Sequence, residues 1–120
     1  MTDRREIESL MVEAGFDHKA AKVLLLLADG EKTSAELQKG AKMAQSMVSV
    51  TTSDLRERGL IVSRKERQRR RGRSRLVYSL ARPLTNIVQE AVAEELDRMS
   101  MKLDRLNKLI RDLHERGYDQ

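Results

Sequence analysis

Apolar residues recur along this chain at two periods, one helical and one alternating. Ile7, Leu10, Met11 and Ala14 fall at helical spacing within residues 3–14, and Gly15 closes that segment. Asp17 is placed to cap a second helix running to about Asp29, with Ala20, Val23, Leu24 and Leu27 on its inner face and Gly30 as its stop. Thr33 and Glu36 have capping-box spacing and open a short third helix, with Ala35 and Leu37 inside and Gly40 at its end. A fourth helix is expected from about Gln45 to Arg58. Val48, Thr51 or Thr52, and Leu55 point inward, Met43 packs just before it, and Asp54 and Arg58 form an outer pair four residues apart. Gly59 followed by Leu60 reads as a left-handed helix end, with Leu60 folding back on Leu55.

Alternation then takes over. Leu60 and Val62, a basic stretch, and then Leu76, Tyr78 and Leu80 read as two strands around a connection at Arg67–Ser74, which Gly72 lets turn. Pro83 fits the first turn of a last helix that meets no breaker before Gly117. Along it Val92, Leu96, Met99, Leu103, Leu106, Ile110 and Leu113 step by four and three in turn, a heptad seam suited to pairing with a second copy as a coiled coil, parallel or antiparallel. Met101 and Leu109 widen the stripe. The chain therefore reads as mainly α with a small β-hairpin, divided into residues 1–82 as a compact unit and 83–117 as a dimerisation helix.

Composition narrows the function. No cysteine is present, and two widely separated histidines, His18 and His114, make no metal site, so neither metal nor other cofactor is expected. The longest apolar stretch, Val23 to Ala28, is too short to cross a bilayer, and the polar start has no signal-peptide core; a cytoplasmic protein is expected. The formal net charge is +5, but its distribution says more. Residues 64–82 carry nine basic and one acidic side chain, whereas residues 1–63 carry nine and ten. A focused positive charge on a near-neutral body suits a polyanionic partner.

Short helices, a turn, a longer helix and a basic hairpin follow the order of a winged helix-turn-helix. The segment Gln45-Ser46-Met47-Val48-Ser49, opening the fourth helix, and Leu55-Arg56-Glu57-Arg58-Gly59-Leu60-Ile61, closing it, resemble the MarR-type and archaeal TrmB-like transcriptional regulators. Their recognition helix typically ends in a Leu, charged pair, Arg or Lys, Gly, Leu pattern. The resemblance covers residues 16–80 and implies a DNA-binding fold and usually a dimer; it implies neither an operator nor a small-molecule effector. Val50 and Thr51 depart from the basic or small residues that relatives often present there.

The residues read the same way on chemical grounds. Gln45, Ser46, Ser49, Val50 and Ser53 lie opposite Val48 and Leu55, and Met47 joins them as a candidate DNA contact. Short polar side chains near a helix start reach base edges and phosphates, Gln pairs with adenine, and Val50 or Met47 can meet a thymine methyl. Arg64, Lys65, Arg67, Arg69, Arg70, Arg71, Arg73 and Arg75 crowd the hairpin, where guanidinium groups grip phosphates and enter narrow minor grooves. No aromatic residue interleaves them, which disfavours stacking on single strands. No Gly-rich phosphate loop and no nucleophile–base pair is visible, so an enzyme is not expected. The reading is a homodimeric, sequence-specific regulator of double-stranded DNA. Its alternatives are a nucleoid protein with little sequence preference and a protein-interaction module.

Overall fold

The computed structural model describes residues 3–67 and 74–119. Helices α1 (Arg4–Glu13) and α2 (His18–Ala28) lead to a two-residue strand β1 (Lys32–Thr33). Helices α3 (Ser34–Ala41) and α4 (Gln45–Glu57), strands β2 (Ile61–Arg67) and β3 (Ser74–Leu80), and a 32-residue helix α5 (Leu84–Glu115) follow. The molecule measures 78 × 32 × 25 Å, its long dimension reflecting the length of α5.

α2 is the centre of the core. Asp17 caps it by accepting from the Ala20 amide, and Ala20, Ala21, Val23, Leu24, Leu25 and Leu27 are all buried along it. Leu37 of α3, Val48 and Leu55 of α4, Leu60, Ile61, Tyr78 and Ile87 close around them. Each large side chain withdrawn from water in this way contributes roughly 1.5–3 kcal/mol before entropy is counted. The capping box forms as expected: the Glu36 amide donates to Thr33 Oγ1 and the Thr33 amide donates to Glu36 Oε1. Those bonds hold Glu36 below the usual carboxylate range, the backbone bond from Thr33 being the largest cause. Leu60 also folds back as expected, its amide donating to the Leu55 carbonyl.

Several details differ from the sequence expectation, each for a local reason. Gly40 does not end α3. The helix continues to Ala41, and Lys42 takes the left-handed cap at φ 54°, ψ 48°. Gly40 serves instead as a contact surface, since a Cβ there would meet the Leu26 methyls at 3.0 Å. Ala35 is exposed rather than inside, because α3 turns only Leu37 and Ala41 inward. Pro83 stands one position before the last helix, as its N-cap. Arg58 does not pair with Asp54; its guanidinium lies 6.0 Å from the centre of the Phe16 ring.

The expected hairpin is a three-stranded antiparallel sheet in the order β1-β3-β2. Its register sets Ile61 opposite Leu80 and Ser63 opposite Tyr78, so these share the face toward α2, while Val62 falls on the other face and is exposed. Leu76 is also exposed, near the end of the strand beyond the core, and Val77 is buried on the opposite face beside Thr33. β1 consists of Lys32 and Thr33 paired with Tyr78 and Val77, and so exists because β3 passes beside the α3 cap.

Candidate nucleic-acid interface

α4 is anchored from one side and open on the other. Val48, Thr51, Thr52 and Leu55 are buried. Thr52 resolves the cost of a buried hydroxyl by donating to the Val48 carbonyl at 2.8 Å. Gln45, Ser46, Ser49, Val50 and Ser53 are exposed together on the outer face, with Met47 half-buried at its margin. No side chain caps the helix: Ala44 is the N-cap residue and makes no side-chain bond, and the first turn contains no acidic residue. The structure thus brings five of the six candidate residues of α4 to one uncharged surface and leaves Met47 at its edge. The left-handed turn at Lys42 sets the direction in which α4 leaves α3.

The wing divides into two faces. Arg64 and Glu66 project to one side of β2, while Lys65 and Arg67 project to the other. Arg64 reaches Glu31 with two nitrogens, Nε to Oε2 at 3.2 Å and Nη2 to Oε1 at 2.5 Å, and lies 3.3 Å from Glu66. Arg75, directly across on β3, donates to Glu66 Oε1 at 2.9 Å. The Arg75 hydrogen bond holds the Glu66 carboxyl below the usual range, and the bond to Glu31 pushes Arg64 up. Two of the basic residues picked as phosphate ligands are thereby tied into a ladder of ion pairs across the sheet. Lys65 and Arg67 have no ion pair among the described residues. Arg69, Arg70, Arg71 and Arg73 lie outside the described residues.

The acidic half of this ladder was missed in the sequence. Glu66 carried a signal, sitting two residues from Arg64 and so on the same face of a strand. Glu31 carried none, being 33 residues away from its partner. Arg56 adds a tie between α4 and the wing by donating to Ser63 Oγ at 3.1 Å.

Elsewhere, α5 buries only Ile87 and Ala91. Every seam residue from Val92 to Leu113 is exposed, between 41% and 65%, and Met101 and Leu109 are exposed likewise. Ile7 and Leu10 of α1 also face outward, and with Leu84, Val88, Val92 and Leu96 they line an apolar groove of about 730 Å³ between α1 and the first half of α5. His18 lies 3.4 Å from Glu8, and His114 contacts Asp119. Among the described residues no three His, Asp or Glu side chains converge on a metal position, and no helix is long and apolar enough to cross a membrane.

No protein-family model matches the chain, and no curated protein matches it by sequence. Solved structures do resemble it. A possible transcriptional regulator from Methanosarcina mazei Go1 superposes with a TM-score of 0.58 at 19% identity, over 83% of this chain and 88% of the other. Reduced HlyU from Vibrio cholerae gives 0.50 at 25% identity, over 80% and 92%. The C30AH42A mutant of Lactococcus lactis ZitR gives 0.48 at 22% identity; the match spans 81% of this chain but only 63% of the length of ZitR. The fold is that of winged-helix regulators: mainly helical, with a small three-stranded sheet and a long C-terminal helix.

Proposed function

We propose that the protein is a double-stranded-DNA-binding transcriptional regulator of the MarR or TrmB-like kind, acting in the cytoplasm as a homodimer and not as an enzyme. The observation that carries this reading is the outer face of α4: five exposed polar or small side chains, on a helix locked from behind by Val48, Thr52 and Leu55, beside a basic hairpin. In this reading α4 enters the major groove, where Gln45, Ser46, Ser49 and Ser53 meet base edges and phosphates. Its uncapped N-terminus suits approach to a phosphate. Lys65 and Arg67, with Arg69, Arg70, Arg71 and Arg73, follow the backbone or the minor groove beside it. Arg64 and Arg75 keep the hairpin in shape through Glu31 and Glu66.

A second reading is favoured by the same face. It carries no charged residue, and the positive excess is concentrated in residues 64–82, so affinity from the wing can exceed selectivity from α4. That would make a nucleoid protein coating DNA with little sequence preference. Replacing Arg69, Arg70, Arg71 and Arg73 together by Ala tests both. The variant is expected to weaken binding to all duplexes alike, each lost phosphate contact lowering the log–log salt slope by about 0.9. Unchanged affinity and slope would refute a DNA-binding wing. If the wild type binds no duplex at all, the basic hairpin serves an acidic protein partner instead.

A further inference from the structure

α5 is electrically divided. Residues 84–97 hold Glu90, Glu94, Glu95 and Asp97 and no basic side chain, whereas residues 98–115 hold five basic and three acidic. The apolar stripe runs through both halves, but only the first half has α1 beside it and so forms a groove. The groove follows α5 from Leu84 to Met99. The seam from Met99 to Leu113 lies beyond it and is exposed, with only the C-terminal turn at Tyr118 and Asp119 beside its far end among the described residues. The two stretches have nearly the same length, roughly 21–23 Å at 1.5 Å per residue.

We infer that the groove between α1 and the first half of α5 receives the second half of α5 from another copy of the chain, with the two helices antiparallel. This rests on the homodimer reading and adds a direction and a seat to it. Antiparallel pairing sets the acidic half of one helix along the basic half of the other, twice over. Glu90 and Glu95 already pair with Arg82 and Arg98 of their own chain, and Glu94 and Asp97 have no ion pair among the described residues. Parallel pairing sets the two acidic halves side by side and the two net-basic halves side by side, which disfavours that arrangement. Antiparallel pairing also covers Ile7 and Leu10, which are exposed on α1. Glu95, on the groove wall, falls within reach of the incoming basic residues. With full overlap of α5 the two-fold axis passes close to Ser100, near the point where the charge changes sign.

The chain lacks cysteine, so one introduced cysteine is one attachment point. Ala93, Ser100 and Asn107 are uncharged, exposed and seven residues apart, and so form one line beside the seam. Each is replaced by Cys in the full chain and spin-labelled. Label-to-label distances across the dimer are read by pulsed electron paramagnetic resonance, with sedimentation velocity on the same samples. Antiparallel pairing gives a short distance at Ser100 and axial offsets of roughly 21 Å at Ala93 and Asn107. Dimers mixed from the Ala93→Cys and Asn107→Cys chains give a short distance. Equal short distances at all three positions in a dimer would overturn the antiparallel arrangement while leaving the homodimer in place. A monomer at micromolar concentration would overturn both, and would leave the groove to another occupant.

Discussion

Two regions of this molecule carry the same kind of hydrophobic spacing and treat it in opposite ways. In α2, six of eleven residues are buried against neighbours drawn from every other part of the domain. In α5 beyond Ala91, an equally regular stripe is left open along its whole length. The pattern alone is therefore a statement that a face needs covering, and not of what covers it. α2 is closed by sequence-distant segments of its own chain, whereas the distal stripe of α5 is exposed.

The sharpest way to break this contrast is Leu103→Asp. It places a carboxylate in mid-seam, where pairing would strip it of water, and separates the proposed protomers. Binding to a two-half-site duplex is expected to fall roughly 10²–10⁴-fold as the second half-site is lost. Sedimentation beside a binding isotherm checks both steps, and a monomeric variant binding as tightly as wild type would sink the mechanism. The thermal unfolding of the domain should barely respond apart from what dimerisation itself contributes.

Leu55→Ala does the reverse. Leu55 is fully buried behind α4, and its truncation should cost about 2–5 kcal/mol of stability in urea unfolding. A loss below 1 kcal/mol would mean that α4 is not held by the core as described. Smaller still is Gln45→Ala, on the exposed face, which should leave unfolding unchanged and cost about 1–3 kcal/mol on a preferred site if Gln45 makes a base contact. Competition against random duplex reads the selectivity: equal losses on both would favour the nucleoid reading. The smallest effect is expected from Lys42→Gly, which removes a side chain from a left-handed position and should stabilise by up to about 1 kcal/mol. A destabilised variant would show that the Lys42 side chain makes a contribution outweighing its backbone strain.

How much was legible in the sequence depended on how local each cause was. The Thr33–Glu36 capping box, the Asp17 cap and the turn at Gly59–Leu60 each rest on residues close together in the chain, and the structure has them; the expected connection between the strands lies outside the described residues. β1 was not read, because two residues carry no alternation of their own and become a strand only beside β3. The face of β2 was misplaced by one residue. Leu60 and Val62 look like an alternating pair, yet Leu60 is spent on the helix end and Ile61 starts the pairing with Leu80. Glycine favours left-handed caps, so Gly40 looks like a stop; the cap falls two residues later at Lys42, and Gly40 instead meets a packing demand from Leu26. For the candidate site, Gln45, Ser46, Ser49, Val50 and Ser53 share a face because one helix face is a local property. The tie between Arg64 and Glu31 was hidden because it depends on how the sheet brings distant segments side by side.

The two tyrosines stand at opposite extremes of the fold. Tyr78 is buried on the core face of β3, and Tyr118, whose amide donates to the Leu113 carbonyl just past the end of α5, is 70% exposed. The chain has no tryptophan to outshine them. Its near-ultraviolet emission is accordingly a two-channel signal: iodide in the buffer quenches Tyr118 selectively, and what survives comes from Tyr78. One cuvette can then follow the opening of the domain and the surroundings of the helix tip separately, with no dye attached.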